Sequence, residues 1–556
     1  MLAPIVVLIC TVLLGGLPSV LQADTGVEDH QTKQVSPVRK LRKADQADRR
    51  HRSLRFLPSY DGSGHNRQHP EMNATHTQLR RYLANDYADS YHDLAGPHRA
   101  SPRDISNTVF RQARARSANK GFSDFMWQWG QFLDHDIDLT DGMNPPEPWP
   151  IDVPKGDRLF DPQATGAVSI AFNRSVYTQD RQGVRQQLNE ISGWIDASNV
   201  YGSDHQRAQA LRMLDGSGRM KMSAGKLLPY NEQGLPNAGG DGAHLFLAGD
   251  VRANEQVGLL ALHTLFVREH NRWIKLLRRE YPHRSGEALY QHARALVTAQ
   301  MQVITYREWL PHLLGKRALP KYRKYHKQVD ARIMNEFSTA AFRFGHSMLS
   351  PQILRLNKRM QPVRYGHLPL RDAFFSPDEI ARHGIASVMR GLSAQVAQKV
   401  DARVVDDVRN FLFGAPGRGG FDLVALNIQR DRDHGLPSYN QARIGFGLPP
   451  VTSFADITAK PRVQRRLARA YHQVDDIDMW VGGMAEDAHG TGMLGELFHH
   501  IVKQQFVALR DGDRYWYTRS LSKRDRKRIQ QRSLADIIRD NTRVGRELPN
   551  NVFIVN

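Results

Sequence analysis

Residues 127–138 read WQWGQFLDHDID, and this stretch decides the fold. With the preceding GFSDFM it places apolar side chains at helical spacing, which predicts a helix over 121–137. Late in that helix, Gln131 and His135 lie four residues apart and share a face. Asp134 flanks the same face, whereas Asp136 is rotated about 100° beyond His135 and about 200° from Asp134. One helix can therefore offer an imidazole and a carboxylate to one cavity while aiming a second carboxylate elsewhere. Taken alone, these residues have three readings: an ordinary capped helix end with solvated acids, an Asp-His-Asp site for zinc or manganese, and an acid–base centre.

Working outward, helical periodicity recurs over 256–278, 286–315, 335–349 and 493–510, and long alternating runs are few. The expectation is a mainly α domain with short strands. The chain has 556 residues, 40% of them hydrophobic and 24% charged, which excludes a largely disordered, collagen-like or polytopic membrane protein. With 77 basic and 57 acidic residues the formal charge is +20. That charge either solubilises the surface or favours anionic partners such as small anions, acidic polysaccharide, nucleic acid or anionic lipid.

The N-terminus is organised differently. Residues 4–22, PIVVLICTVLLGGLPSVLQ, resemble a signal-peptide core with a cleavage point near Ala23, and an uncleaved anchor is the alternative. The one cysteine, Cys10, lies inside this segment, so a chain starting at Asp24 carries no disulfide and no thiolate metal ligand. Residues 24–55 are polar and basic and read as a linker or pro-segment, or as an arm for anionic surfaces. From 56 to 556 there is neither repeat nor linker, which predicts one catalytic domain. Asn73-Ala-Thr75 and Asn173-Arg-Ser175 are glycosylation sequons.

Several patterns can be set aside. Gly490-Thr-Gly492-Met-Leu-Gly495 matches a dinucleotide-binding fingerprint, but MAEDAHG before it is not a strand. HExxH, GxSxG and P-loop motifs are absent from the sequence. With 24 histidines in the chain, a histidine deserves a role only inside a constellation.

The segment WQWGQFLDHDID resembles the distal-helix signature of the animal-type haem peroxidase superfamily. The resemblance runs from about Ser53 to Asn556. It includes ISGWIDASNVYGS (191–203), LFLAGDVRANE (245–255), HTLFVREHNR (263–272), ITYREWLP (304–311), FRFGHSML (342–349), ALNIQRDRDHGLPSYN (425–440) and LRDGDRYWY (509–517), in the family's order. It implies a mainly α fold with haem b held between distal and proximal helices. His135 then resembles the distal base, with Arg252 beside it and Gln131 able to bond a distal water or halide. His346 resembles the proximal iron ligand, with Asn427 accepting a hydrogen bond from its other ring nitrogen. Asp134 and Glu255 match carboxylates that can form haem esters. Gln256 stands where a relative with a third, sulfonium link has methionine, so that link is not expected. Arg343 and Arg430 match positions near the haem propionates. Asp136, Ser192, Trp194 through its carbonyl, Asp196 and Ser198 match a calcium site, and Ser192 keeps the hydroxyl of the threonine common in relatives. Those relatives are rich in disulfides; here core packing, calcium and covalent haem would supply the rigidity instead.

The implied activity is that of a secreted haem peroxidase that reduces hydrogen peroxide and oxidises a small anion, halide or thiocyanate, or an organic donor. A neutral imidazole can take a proton from one peroxide oxygen and return it to the other. A permanent guanidinium can stabilise charge on the leaving oxygen. A fatty-acid dioxygenase of the same superfamily and a non-enzymatic adhesion or matrix-binding protein are the other readings. The segment WGQFLDHD favours the peroxidase branch over the first. The second has the basic run near 39–55 to contact an anionic surface or polysaccharide, but the chain has no Arg-Gly-Asp and keeps the whole distal set. No specific nucleic-acid partner is expected.

Overall fold

The computed structural model describes residues 58–112, 117 and 121–555. The signal-like segment 1–23 and the basic tract 24–55 lie outside the described residues. The chain is mainly helical, as its periodicity implies, and its strands are short. The longest sheet has three antiparallel strands, β1 (Thr77–Gln78), β2 (Tyr177–Gln179) and β3 (Arg185–Asn189), in the order β1-β3-β2.

The helix α1 spans Phe125–Ile137 and is buried along nearly its whole length. It starts four residues later than the periodicity suggests. Residues 122 and 123 form bridges to Ile554 and Val396, and the backbone N–H groups of Ser123 and Asp124 donate to Phe553 and Gln395 carbonyls, so they are already committed outside a helix. A helix buried on every side needs its polar edges satisfied. The amide of Asn199 donates to the Phe132 carbonyl at 2.6 Å, and that of Asn189 to the Ile137 carbonyl at 2.9 Å. Trp309 Nε1 donates to the Met126 carbonyl at 2.8 Å, and Trp129 Nε1 donates to Thr305 Oγ1 at 3.2 Å.

Two longer helices pack around this element. Helix α2 (Val257–Glu280) is capped by Gln256, whose side chain accepts from Gly258 N. Its Phe266 stacks on Phe132 of α1 with ring centroids 5.2 Å apart. Helix α3 (Gly286–Ile304) begins at the Ser285 cap and lies against α2. The uninterrupted helix expected over 286–315 instead ends at Ile304, passes through a π turn (Thr305–Trp309) and closes with Leu310–Leu313. Pro311 has no N–H to donate and disfavours a regular helix just before it. The wider turn carries the two residues, Thr305 and Trp309, that support α1.

The expected helix over 335–349 also divides. Asn335–Thr339 is α-helical, Ala340 breaks the run with φ −118° and ψ −66°, and Ala341–Ser347 forms 3-10 turns. In a 3-10 helix, side chains three residues apart lie in line. Arg343 and His346 therefore share one edge. Helix α4 (Leu423–Asp433) is capped by Asp422, which accepts from both Val424 N and Ala425 N. Helix α5 (Glu496–Asp511) is entered from turns rather than from a strand, so the glycines at 490–495 lack the context of a dinucleotide site. No helix among the described residues is long and apolar enough to cross a membrane.

Both sequons are used structurally. Asn73 is buried, donates to the Ala331 carbonyl at 2.7 Å and accepts from Ile333 N at 3.0 Å. Asn173 donates to the Met143 carbonyl and accepts from Glu147 N. Asn73 is buried and has no room for a glycan in this fold, whereas Asn173 is half-buried and its contacts leave the second amide hydrogen out of them.

Candidate active site

The expected site residues come from four elements. The C-terminal half of α1 supplies Gln131, Asp134 and His135, and the loop before α2 supplies Arg252 and Glu255. The 3-10 turns supply Arg343 and His346, and α4 supplies Asn427 and Arg430. The 3-10 segment packs against α1. The Arg343 charge reaches Asp134, opposing the upward shift of its carboxyl, so the two sides meet across one space.

That space is a cavity inside the molecule. Asp134 and Glu255 lie deep within the protein, yet 30% and 23% of their side-chain surface stays accessible. A Cβ built on Gly345, next to His346, would meet no atom within 4 Å. Depth combined with accessibility describes a void walled by polar groups. Its residues, two imidazoles, two carboxyl groups and the neighbouring guanidinium groups of Arg343 and Arg430, suit a flat prosthetic group that carries a metal and two carboxylates. Arg430 and Arg343 are close enough that the Arg343 charge, after burial, helps depress the Arg430 pKa. Arg430 is steadied by Ser175 Oγ at 2.7 Å and Asp433 Oδ2 at 2.8 Å, with its guanidinium over the Phe172 ring.

On the distal side, one residue organises the others. Asp250, which sequence reasoning missed, grips Arg252 in a bidentate pair, Nε to Oδ1 at 2.9 Å and Nη2 to Oδ2 at 2.9 Å. The Arg252 backbone N–H also donates to Asp250 Oδ1 at 2.9 Å. Arg252 Nη2 reaches the Asp138 carbonyl at 2.8 Å, and Nη1 lies 3.3 Å from Asp134 Oδ2. His135 Nδ1 is 3.2 Å from Asp250 Oδ1, although the approach is not aligned as a hydrogen bond. A carboxylate at Nδ1 favours the tautomer protonated there and leaves the Nε2 lone pair available. Nε2 lies 4.0 Å from Glu255 Oε2.

The charge states follow from this layout. Burial, then the Arg252 charge, hold His135 well below the ordinary histidine range, so its ring is neutral. Burial opposes ionisation of Asp250 too, but the Arg252 charge and the hydrogen bonds from Arg252 outweigh it and hold the carboxylate ionised. Burial raises Asp134 to about 8, with the Asp138 charge adding to it and Arg252 and Arg343 opposing. Burial also raises Glu255 to about 7. Gln131 donates to Glu255 Oε1 at 3.3 Å and accepts from Gln256 Nε2 at 3.1 Å, and Gln256 also donates to Gln128 at 2.7 Å. This amide ladder fixes Gln131 beside the cavity.

On the proximal side, burial and then the Arg343 charge lower His346 to about 3, which keeps its ring neutral. Asn427 meets it, with Nδ2 2.9 Å from His346 Nδ1. The polarity differs from the expected one. Here the amide nitrogen donates to the ring, because Arg343, which can only donate, occupies Asn427 Oδ1 at 3.4 Å. A metal on Nε2 requires the proton on Nδ1, so metal binding calls for a half-turn of the Asn427 amide.

A second cluster lies behind His135. Asp136 and Asp196 are fully buried. Ser198 Oγ donates to the Asp136 backbone carbonyl at 2.9 Å and contacts its Oδ1 at 3.0 Å, and Ser192 Oγ donates to Asp196 Oδ2 at 2.8 Å. Trp194 places its carbonyl in the same loop, accepting from Asp196 N. Burial, then the Asp196 charge, push Asp136 well above the carboxylate range. One cation adjoins the pair. His65 Nε2 is 3.6 Å from Asp196 Oδ2, and although burial disfavours its charge, Asp513 and Asp196 hold it at about 9. Two carboxylates, two hydroxyls and a carbonyl make a donor set suited to a hard divalent cation.

Comparison with known proteins follows the same lines. The family model for animal haem peroxidase matches residues 57–553. Peroxinectin A of Dictyostelium discoideum is 37% identical over 516 residues, covering 88% of this chain and 94% of that protein. Myeloperoxidase of Mus musculus is 35% identical over 551 residues, covering 89% of this chain and 76% of that protein. The solved structure of Peroxidase A from Dictyostelium discoideum superposes with a TM-score of 0.84 at 34% identity, covering 90% of this chain and 100% of that one. A fatty acid alpha-dioxygenase of Oryza sativa superposes with a TM-score of 0.76 at 20% identity over 90% of this chain and 87% of that one, a likeness of fold alone.

The Asp250–Arg252 pair generates a prediction. Replacing Asp250 with Ala leaves a deep guanidinium without its bidentate partner and should cost about 3 kcal/mol of stability. Guanidinium-chloride unfolding measures this, and an unchanged midpoint would show that the pair is not an organising contact.

Proposed function

The chain belongs to the animal haem peroxidase family and is a haem-dependent oxidoreductase; from that premise we propose that it is a secreted enzyme that reduces hydrogen peroxide while oxidising a small anion, such as a halide or thiocyanate, or an organic donor. One observation carries this reading: a buried, neutral His135 and a cationic Arg252 both adjoin the same carboxylate, Asp250, at 3.2 and 2.9 Å. In this reading residues 1–23 direct secretion, 24–55 form a linker or pro-segment, and 56–556 form the catalytic domain.

Haem supplies the redox chemistry by which the peroxide O–O bond breaks and oxidising equivalents are stored. His346 would hold its iron, with Asn427 setting the tautomer, and Arg343 and Arg430 would receive its propionates. On the distal side, His135 Nε2 accepts the proton of the entering peroxide and returns it to the departing oxygen, which leaves as water. Arg252 stabilises the negative charge that grows on that oxygen. Its own charge also disfavours protonation of His135, so the base stays ready. Gln131, locked by Glu255 and Gln256, offers a polar contact to a distal water or a small anion.

Asp134 and Glu255 would form the haem esters. Their carboxyls face the cavity, and both are held near neutrality by burial rather than as free carboxylates. Asp136, Ser192, the Trp194 carbonyl, Asp196 and Ser198 would bind calcium. Because Asp136 adjoins His135 in α1, the ion would brace the helix that carries the base.

Three outcomes test the proposal. His346→Ala should lose the Soret band of bound haem, whereas His135→Ala should keep it and react with peroxide roughly 10²–10⁴-fold more slowly in stopped flow. Full loading of the first variant or wild-type speed in the second contradicts the assigned roles. After peroxide turnover, acidified organic solvent should leave haem on the wild-type polypeptide and extract it from an Asp134→Ala, Glu255→Ala double variant; free extraction from wild type rules out the esters. Prolonged chelation should lower the melting temperature and release stoichiometric calcium by elemental analysis, and a metal-free protein of unchanged stability would remove the ion from the scheme.

A further inference from the structure

The loop between Leu313 and Asn335 carries the sequence KRALPKYRKYHKQV at 316–329, with six lysines and arginines and no acid. All six cations, Lys316, Arg317, Lys321, Arg323, Lys324 and Lys327, are exposed. Among the described residues none of the six has a carboxylate partner. Their neighbours behave differently: Arg332 pairs with Asp330 at 2.8 Å, and Arg510 with Asp511 at 2.8 Å.

The loop is pinned to the protein along its length. Tyr322 packs near Trp516, with ring centroids 5.9 Å apart, and Arg510 donates to the Pro320 carbonyl at 2.8 Å. Tyr325 lies under the Arg519 guanidinium at 5.1 Å, and its hydroxyl accepts from Arg67 N at 3.0 Å. His326 N donates to the Asp511 carbonyl at 2.8 Å, and Asn66 donates to the Lys327 carbonyl at 3.0 Å. The two tyrosines hold the strand of chain down, and the cations between them point away. Residues 321–327 can span up to about 20 Å. Beside them opens a cleft of about 550 Å³, walled by Pro320 and Val329 from the loop and by His500 and Lys503 from α5. The two acids at this cleft, Asp330 and Asp511, are the ones already neutralised by arginine.

We propose that this cationic strap and the cleft beside it form a docking site for a linear acidic polysaccharide, sulfated or carboxylated. A row of unpaired cations on a held backbone suits a flexible polyanion. Single-stranded nucleic acid needs free ring faces for stacking, and both tyrosine rings are occupied here. An anionic membrane also attracts basic segments by charge, but no large apolar side chain of the strap is exposed to anchor it there. The strap is separate in sequence from the basic tract at 39–55.

The test uses the full-length holoenzyme and a fluorescent heparin oligosaccharide of defined size. A variant with Lys321→Ser, Arg323→Ser, Lys324→Ser and Lys327→Ser should bind at least about tenfold more weakly, with a shallower dependence of affinity on salt, because fewer counterions are released. Its Soret band and peroxide-dependent iodide oxidation should match the wild type. A variant with Arg39, Lys40, Arg42 and Lys43 replaced by Ser should keep most of the affinity. If the fourfold variant folds poorly, a single Lys324→Glu should still weaken binding several-fold. Unchanged affinity in the strap variants, loss of binding in the N-terminal variant instead, or tighter binding of duplex DNA or phosphatidylserine vesicles than of the oligosaccharide would each overturn the proposal.

Discussion

A guanidinium held in place by a carboxylate, deep inside the protein, sets the chemistry of this cavity. Arg252 would be costly to bury alone, and Asp250 compensates it with two parallel contacts and a third from the backbone. The same Asp250 approaches Nδ1 of His135 and so biases its tautomer. One anion thus aims the cation and orients the base. The cation in turn keeps the base neutral. Removing Asp250 would leave a buried guanidinium unpaired, and removing Arg252 would take away a charge that disfavours protonation of His135.

That arrangement needs a frame that does not yield. Helix α1 is surrounded, with its edge carbonyls taken by Asn189, Asn199 and Trp309. Behind the base, Asp136 ties α1 to the loop 192–198 through Ser198 and Ala197. The buried repulsion between Asp136 and Asp196 is a weakness that a bound cation would turn into a brace. With no cysteine among residues 24–556, such contacts carry the rigidity that disulfides would otherwise provide.

Much of this was legible in residue order. The helical periods of α1, α2 and α5 were, because an amphipathic or wholly apolar stretch of adequate length has few other ways to bury itself. The side chains around the cavity, His135, Arg252, Asp134, Glu255, His346 and Asn427, were legible through their motifs, and the fold brings them to one space. Less visible were the interruptions. The run at 286–315 keeps a helical period through Pro311, and the period cannot show a π turn. The run at 335–349 keeps it through Ala340, where the backbone leaves the helix. Asp250 sits two residues before Arg252 in a loop, and no spacing rule pairs such residues. The sequon at Asn73 shows the opposite failure: a correct local pattern, overruled by burial.

By itself, the sequence determined the class of fold, the family and the inventory of reactive groups, because these depend on side-chain identity and on local periodicity. Tertiary structure alone decided which groups carry charge and which of the many cations stay unpaired at the surface. Each of those depends on solvent exclusion and on neighbours distant in the chain. A pKa and an ion pair are properties of surroundings, and only the folded chain supplies them.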